Sequence, residues 1–107
     1  MKIISKISVL CGLLLTAGAV LAQEGKADAG KTKVEMCVGC HGIPGYKATF
    51  PEVYRVPKIG GQNAKYIEAA LKGYRSGDRK HPTMRGIAGS LSDQDIADVS
   101  AFYAAQK

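Results

Sequence analysis

The chain has no tryptophan, two phenylalanines, two histidines and three cysteines in 107 residues, and its one long apolar stretch without a charge, Ile7 to Ala22, is 16 residues. A helix needs about 20 apolar residues to cross the hydrocarbon core, so no comfortable membrane span is present. A structural zinc site takes four ligands, and so few cysteines and histidines leave little to build one from. Charge is scarce as well: 22% of residues are charged and 46% are apolar, which is too hydrophobic for a disordered tail. Internal repeats, low-complexity tracts and runs of alternating polarity are missing, which removes solenoids and gives no reason to expect a sheet. The length allows one small domain.

What the chain does contain is divided unevenly. Lys2 and Lys6 form a basic head before the uncharged stretch, and Val20 and Ala22 are small residues at its exit. A basic start, a short apolar centre and a small-residue exit describe a secretory signal, with the cut expected after Ala22. An uncleaved anchor is the competing reading, opposed by the short run and its polar far flank. Cys11 does not suit a lipoprotein, because Leu10 precedes it and the apolar run continues beyond it. Residues 23–107 then form the mature domain, with two cysteines, and loss of Lys2 and Lys6 lowers the formal charge from +6 to +4. A domain of this size has a marginal core, and small exported domains usually add a disulfide, a metal or a cofactor. Cys37 and Cys40 are where such a staple is to be sought.

Asp28 to about Cys37 reads as a short helix with Asp28 as its cap. Val38 to Gln62 carries Gly39, Gly42, Pro44, Gly45, Pro51, Pro57, Gly60 and Gly61, and reads as loop. So long a loop in a small domain is expected to wrap something. Asn63 caps a helix to about Arg75, with Ala64, Ile67, Leu71 and Tyr74 on one face. Gly77 ends it, an irregular basic segment runs to Met84, and a helical turn is expected around Ile87. Ser92 and Asp95 form a capping box for a last helix whose apolar face is Ile96, Val99, Phe102 and Tyr103. The expected fold class is all-α, with three to five short helices.

Cys37, Val38, Gly39, Cys40 and His41 spell C-x-x-C-H, the attachment signature of c-type haem. Two thiols three positions apart on a helical turn can each add to one vinyl group of a porphyrin, and His41 then lies under the iron as an axial ligand. A disulfide, or a zinc site completed by His81, is the alternative reading of these residues. A second axial ligand must come from Met36, Met84 or His81. Met36 adjoins Cys37 and cannot reach the opposite face, so Met84 is the expected ligand and His81 its rival. Met84 also sits between Thr83 and Arg85, outside any apolar stripe.

With these residues in view, the sequence resembles class I c-type cytochromes of the small periplasmic bacterial kind, and is similar to one half of their dihaem tandem-domain members. The likeness runs from AGKTKVEMCVGCHG through PKIGGQNAKYIEAALKGYRSGDR to MRGIAGSLSDQDIADVSAFYAAQ. It implies one haem c wrapped by short helices, with thioether bonds to Cys37 and Cys40, His41 as the proximal ligand and Met84 as the distal one. It implies further that the Pro44 carbonyl holds the second ring nitrogen of His41. Gly30 would lie where the first and last helices cross, against Phe102 or Tyr103. The segment Tyr46 to Val56 matches no motif of the family, and leaves Tyr54, Arg55 and Lys58 as candidates to meet the haem propionates.

Lys58, Lys65, Lys72, Arg75, Arg79, Lys80 and Arg85 face only Glu68 and Asp78 in the same stretch, a local balance of +5, whereas residues 86–107 balance to −2. Such a basic region beside the distal ligand suits a transient, acidic redox partner. Nucleic acid is excluded by compartment and by the lack of interleaved aromatics. The expected function is that of a monomeric periplasmic electron carrier without substrate chemistry of its own. The alternatives are a haem-bearing electron-entry subunit of an oxidase or dehydrogenase, and a five-coordinate haem enzyme or sensor.

Overall fold

The computed structural model describes residues 24–49 and 53–107. The expected signal segment, residues 1–22, lies outside them. Five helices and one two-stranded ladder follow in order: α1 Ala27–Lys31, α2 Glu35–His41, β1 Lys47–Ala48, β2 Tyr54–Arg55, α3 Ala64–Ser76, α4 Pro82–Gly89 and α5 Asp93–Ala104. The all-α expectation holds, with a short antiparallel ladder pairing Lys47 with Arg55 and Ala48 with Tyr54 as its one addition among the described residues. No described helix is long and apolar enough to cross a membrane.

Two helices start where their caps predict. The Asn63 side chain accepts the amide of Tyr66, and Ser92 and Asp95 exchange the two bonds of a capping box. Gly77 closes α3 at φ 90°, a left-handed conformation that glycine adopts without a Cβ penalty. Elsewhere the elements differ from expectation. The helix expected over 28–37 is broken at Thr32–Val34, and Asp28 sits within the first turn of α1 instead of capping it. The break turns Lys33 toward Asp95 and Asp98, which its ammonium meets at 2.8 Å and 2.7 Å, and buries Val34. Met84 lies inside α4, not in a loop before it, because Pro82 occupies the first helical position, where a missing N–H costs nothing.

α1 crosses α5, and α3 packs on both α4 and α5. At the first crossing a Cβ on Gly30 would overlap the Asp98 carbonyl and stand 2.8 Å from the Cβ of Phe102, so glycine there permits the close approach and Phe102 is the aromatic neighbour. The core gathers Val34, Ile67, Leu71, Ala88, Leu91, Ile96, Val99 and Tyr103. Cys37, Ile59, Tyr74, Met84 and Phe102 pack partly buried against it. The core therefore reaches α2 through Cys37 and α4 through Met84.

Candidate functional site

α2 carries Cys37 and Cys40 one turn apart and ends on His41. Both thiols are half-buried and free, so the pair forms no disulfide. Burial pushes the Cys37 thiol up from its ordinary value. Among the described residues no three His, Cys, Asp or Glu side chains converge as a zinc site requires.

The His41 ring is aimed by a backbone carbonyl. Its Nδ1 lies 2.7 Å from the oxygen of Pro57, so Nδ1–H donates and the Nε2 lone pair is left free to coordinate. This corrects the expectation for Pro44. Pro44 shares a further cavity with Val38, His41 and Ile43, but the carbonyl that meets the ring is that of Pro57. Pro57 instead returns from β2 and brings its carbonyl to Nδ1.

Two cavities meet at His41 and Met84. One, of about 50 Å³, is lined on α2 by Cys37 and Cys40, on β2 by Tyr54 and on α4 by Met84 and Ile87. The other, of about 260 Å³, lies between the 57–62 segment and α3, with Ile67, Leu71 and Tyr74 in its wall. Together they make an apolar slot with an imidazole and a thioether in both walls and two thiols at one edge. His81 also lines the smaller cavity, but its Nδ1 accepts the Met84 amide at 3.2 Å. Of the three propionate candidates, Tyr54 lines the slot, Lys58 lines the larger cavity, and Arg55 points outward on the opposite face of β2. The Tyr103 hydroxyl is buried without a protein partner, and desolvation, followed by the nearby Cys37, pushes its pKa up to about 12.

The sequence reading missed Pro57, Val56 and Tyr66, and placed Tyr74 on the apolar face of α3 without assigning it to the slot. Tyr66 could have been found from the helical period of α3, but the carbonyl of Pro57 carries no side-chain signal. The donor set fits a porphyrin held at its edge and on both faces: two thiols for vinyl groups, an imidazole with a free Nε2, a soft thioether, and an orphaned hydroxyl beside the attachment helix. Such a slot in so small a helical domain defines a c-type haem protein.

Comparison with known proteins agrees. The Cytochrome c family profile matches residues 27–105, and the chain belongs to that family. It is similar to cytochrome c-554(548) of Halomonas halodenitrificans, 42% identical over 86 residues, covering 78% of this chain and 99% of that protein. Cytochrome c4 of Pseudomonas aeruginosa is 37% identical over 101 residues, covering 92% of this chain and 48% of the relative. The crystal structure of reduced recombinant cytochrome c4 from Pseudomonas stutzeri superposes with a TM-score of 0.63 at 35% identity, over 78% of this chain and 46% of that one. The chain thus spans about half the length of its cytochrome c4 relatives. Its prosthetic group is covalently bound haem c, and it is a haem electron-transfer cytochrome.

Proposed function

We propose that Cys37 and Cys40 would hold the haem through thioether bonds, each S–H adding across a vinyl C=C with no leaving group, and that His41 Nε2 and the Met84 sulfur would be the protein ligands of its iron. The observation that carries this is the placing of a fixed imidazole and a thioether in the walls of the same two cavities. The haem supplies a one-electron Fe(II)/Fe(III) couple. His41 is held by the Pro57 carbonyl, which raises its basicity and fixes the ring. Met84 is held in the first turn of a helix packed on α3. With both side chains as ligands, little room would be left for a substrate at the iron, and the thioether would favour the reduced state. The protein in this reading passes single electrons and is not an enzyme.

The reading extends to compartment and partner. Export through residues 1–22 delivers residues 23–107 to the periplasm, where the protein acts as a monomer. Of the seven basic residues, Lys65 pairs with Glu68, and Arg75 bonds Asp93 and the Leu91 carbonyl. Lys58, Lys72, Arg79, Lys80 and Arg85 are exposed, with Arg79 laid over Tyr74 at 4.8 Å. These five form the docking field for an acidic redox partner.

The deciding measurement is absorption of the ferric holoprotein. A sulfur-to-iron charge-transfer band is expected in the parent and absent in Met84→Ala, while a denatured-haem spectrum and intact mass retain the covalent haem. Persistence of the band in Met84→Ala would refute the distal ligand, and loss of haem on denaturing the parent would refute the thioethers.

A further inference from the structure

α4 starts in an unusual way. Ser, Thr, Asp and Asn lead at N-caps because a short side chain brings an oxygen to the N2 or N3 amide. At α4 the position belongs to His81, with an extended backbone of φ −159° and ψ 108°, and the ring Nδ1 accepts the amide of Met84 at 3.2 Å. An imidazole does what a serine cap cannot, because the ring continues past the amide into the slot. There it stands edge-on to Tyr54, with centroids 4.5 Å apart, and to Tyr74 at 6.3 Å. One side chain therefore ties the first turn of α4 to β2 and to α3.

The hydrogen bond also sets what the ring can do. A nitrogen that accepts must carry a lone pair, so the neutral ring bears its proton on Nε2. In that tautomer neither nitrogen has a lone pair to spare, and His81 is not a ligand while it caps. The side chain that rivalled Met84 in the sequence is instead bonded to the Met84 backbone.

We propose that His81 is the positioning residue for the distal ligand: its Nδ1 holds the Met84 amide while Tyr54 and Tyr74 hold the ring, and this fixes the first turn of α4 so that the thioether faces His41. The proposal rests on the reading of Met84 as the distal ligand. Pro82, with its φ fixed in the helical range, stiffens the same turn.

The test uses ferric holoprotein of the parent and of His81→Asn, His81→Gln and His81→Ala, titrated with imidazole, which competes with a thioether for iron. Asn keeps a capping oxygen at the right reach, whereas Gln has a longer stem and Ala has no acceptor. Expected is imidazole binding tighter by about five-fold in His81→Gln and His81→Ala, the size of a lost cap, and a smaller rise in His81→Asn, which keeps the cap and loses the ring contacts. The sulfur-to-iron band should weaken in the same order. Equal affinities in parent, Gln and Ala variants would overturn the proposal, as would an Asn variant that binds imidazole as tightly as the Ala variant. If His81→Ala does not fold, the Asn and Gln pair carries the comparison alone. A parent without the band, or a band surviving in Met84→Ala, overturns the ligand reading and the proposal together. A band lost in Met84→Ala with imidazole binding unmoved by His81→Gln overturns only the positioning role.

Discussion

At position 30 a methyl group would collide with backbone. The Asp98 carbonyl and the Phe102 Cβ occupy the space that a Cβ would take; Asp98 is buried on α5, and Phe102 is half-buried on the same helix. Gly30→Ala must therefore push α1 away from α5, at a cost of about 1 to 3 kcal/mol for overpacking. A lowered urea midpoint with the visible spectrum unchanged is the expected result, and a parent-like midpoint would show that the crossing can relax. The residues proposed to hold the haem were the readable ones: C-x-x-C-H singles out Cys37, Cys40 and His41 because attachment at a porphyrin edge would dictate that spacing. Gly30 was readable because close helix contact selects against every side chain. Pro57 was not, since any residue has a carbonyl and only the return path of the chain selects this one. Pro44, nearer in sequence, was the wrong choice for the same reason.

Among the elements, α3 and α5 were legible because cap and period agree in each, and α4 only in part, as the turn expected around Ile87, because Pro82, Gly86 and Gly89 disguise its first turns as a loop. The break between α1 and α2 was hidden as well, since its cause lies far along the chain on α5. Asp98 is 2% exposed and accepts from the Lys26 amide at 2.9 Å, from Gln94 at 2.9 Å and from the Lys33 ammonium at 2.7 Å. Lys33 bonding, then the Lys26 amide, holds its carboxyl below the usual range. Asp95, bonded first by Lys33 and then by the Ser92 backbone, is lowered to about 2. Because these folded values lie below the unfolded ones, the unfolded chain binds more protons in acid, and stability is lost as pH falls. The urea midpoint is expected to be flat from neutrality to about pH 5 and to drop between about pH 4 and pH 2. In Asp98→Asn the midpoint at neutral pH should be lower and the acid drop shallower. A drop of unchanged depth in that variant would show that the junction of α1, α2 and α5 does not depend on this charge.

For the whole molecule, the sequence showed how much positive charge there is and roughly where along the chain, and folding decided which of it is available. Ion pairing removes Lys65 and Arg75 from the open set, while Arg79, Lys80, His81 and Arg85 come to line one shallow concavity of about 640 Å³ beside α4. That concavity adjoins the helix bearing Met84, so a partner attracted to it meets the protein near the bound group. Electrostatic steering of this kind changes association rates by about ten-fold or more at low salt and vanishes when the Debye length shrinks to about 3 Å near 1 M. Ferricyanide, a small anionic oxidant, reports the local field without needing the natural partner. Its rate of oxidation of the ferrous protein should fall as salt is raised. Lys80→Glu with Arg85→Glu should slow it several-fold at low salt and match the parent near 1 M. The control is Lys26→Glu with Lys31→Glu, which changes net charge equally, on α1 and its N-cap, where the Lys26 backbone bonds Asp98 and Gly30 and the substituted side chains lie outside those bonds. If the control pair slows the reaction as much as the α4 pair, net charge and not the concavity governs encounter, and the docking field has to be sought elsewhere on the surface.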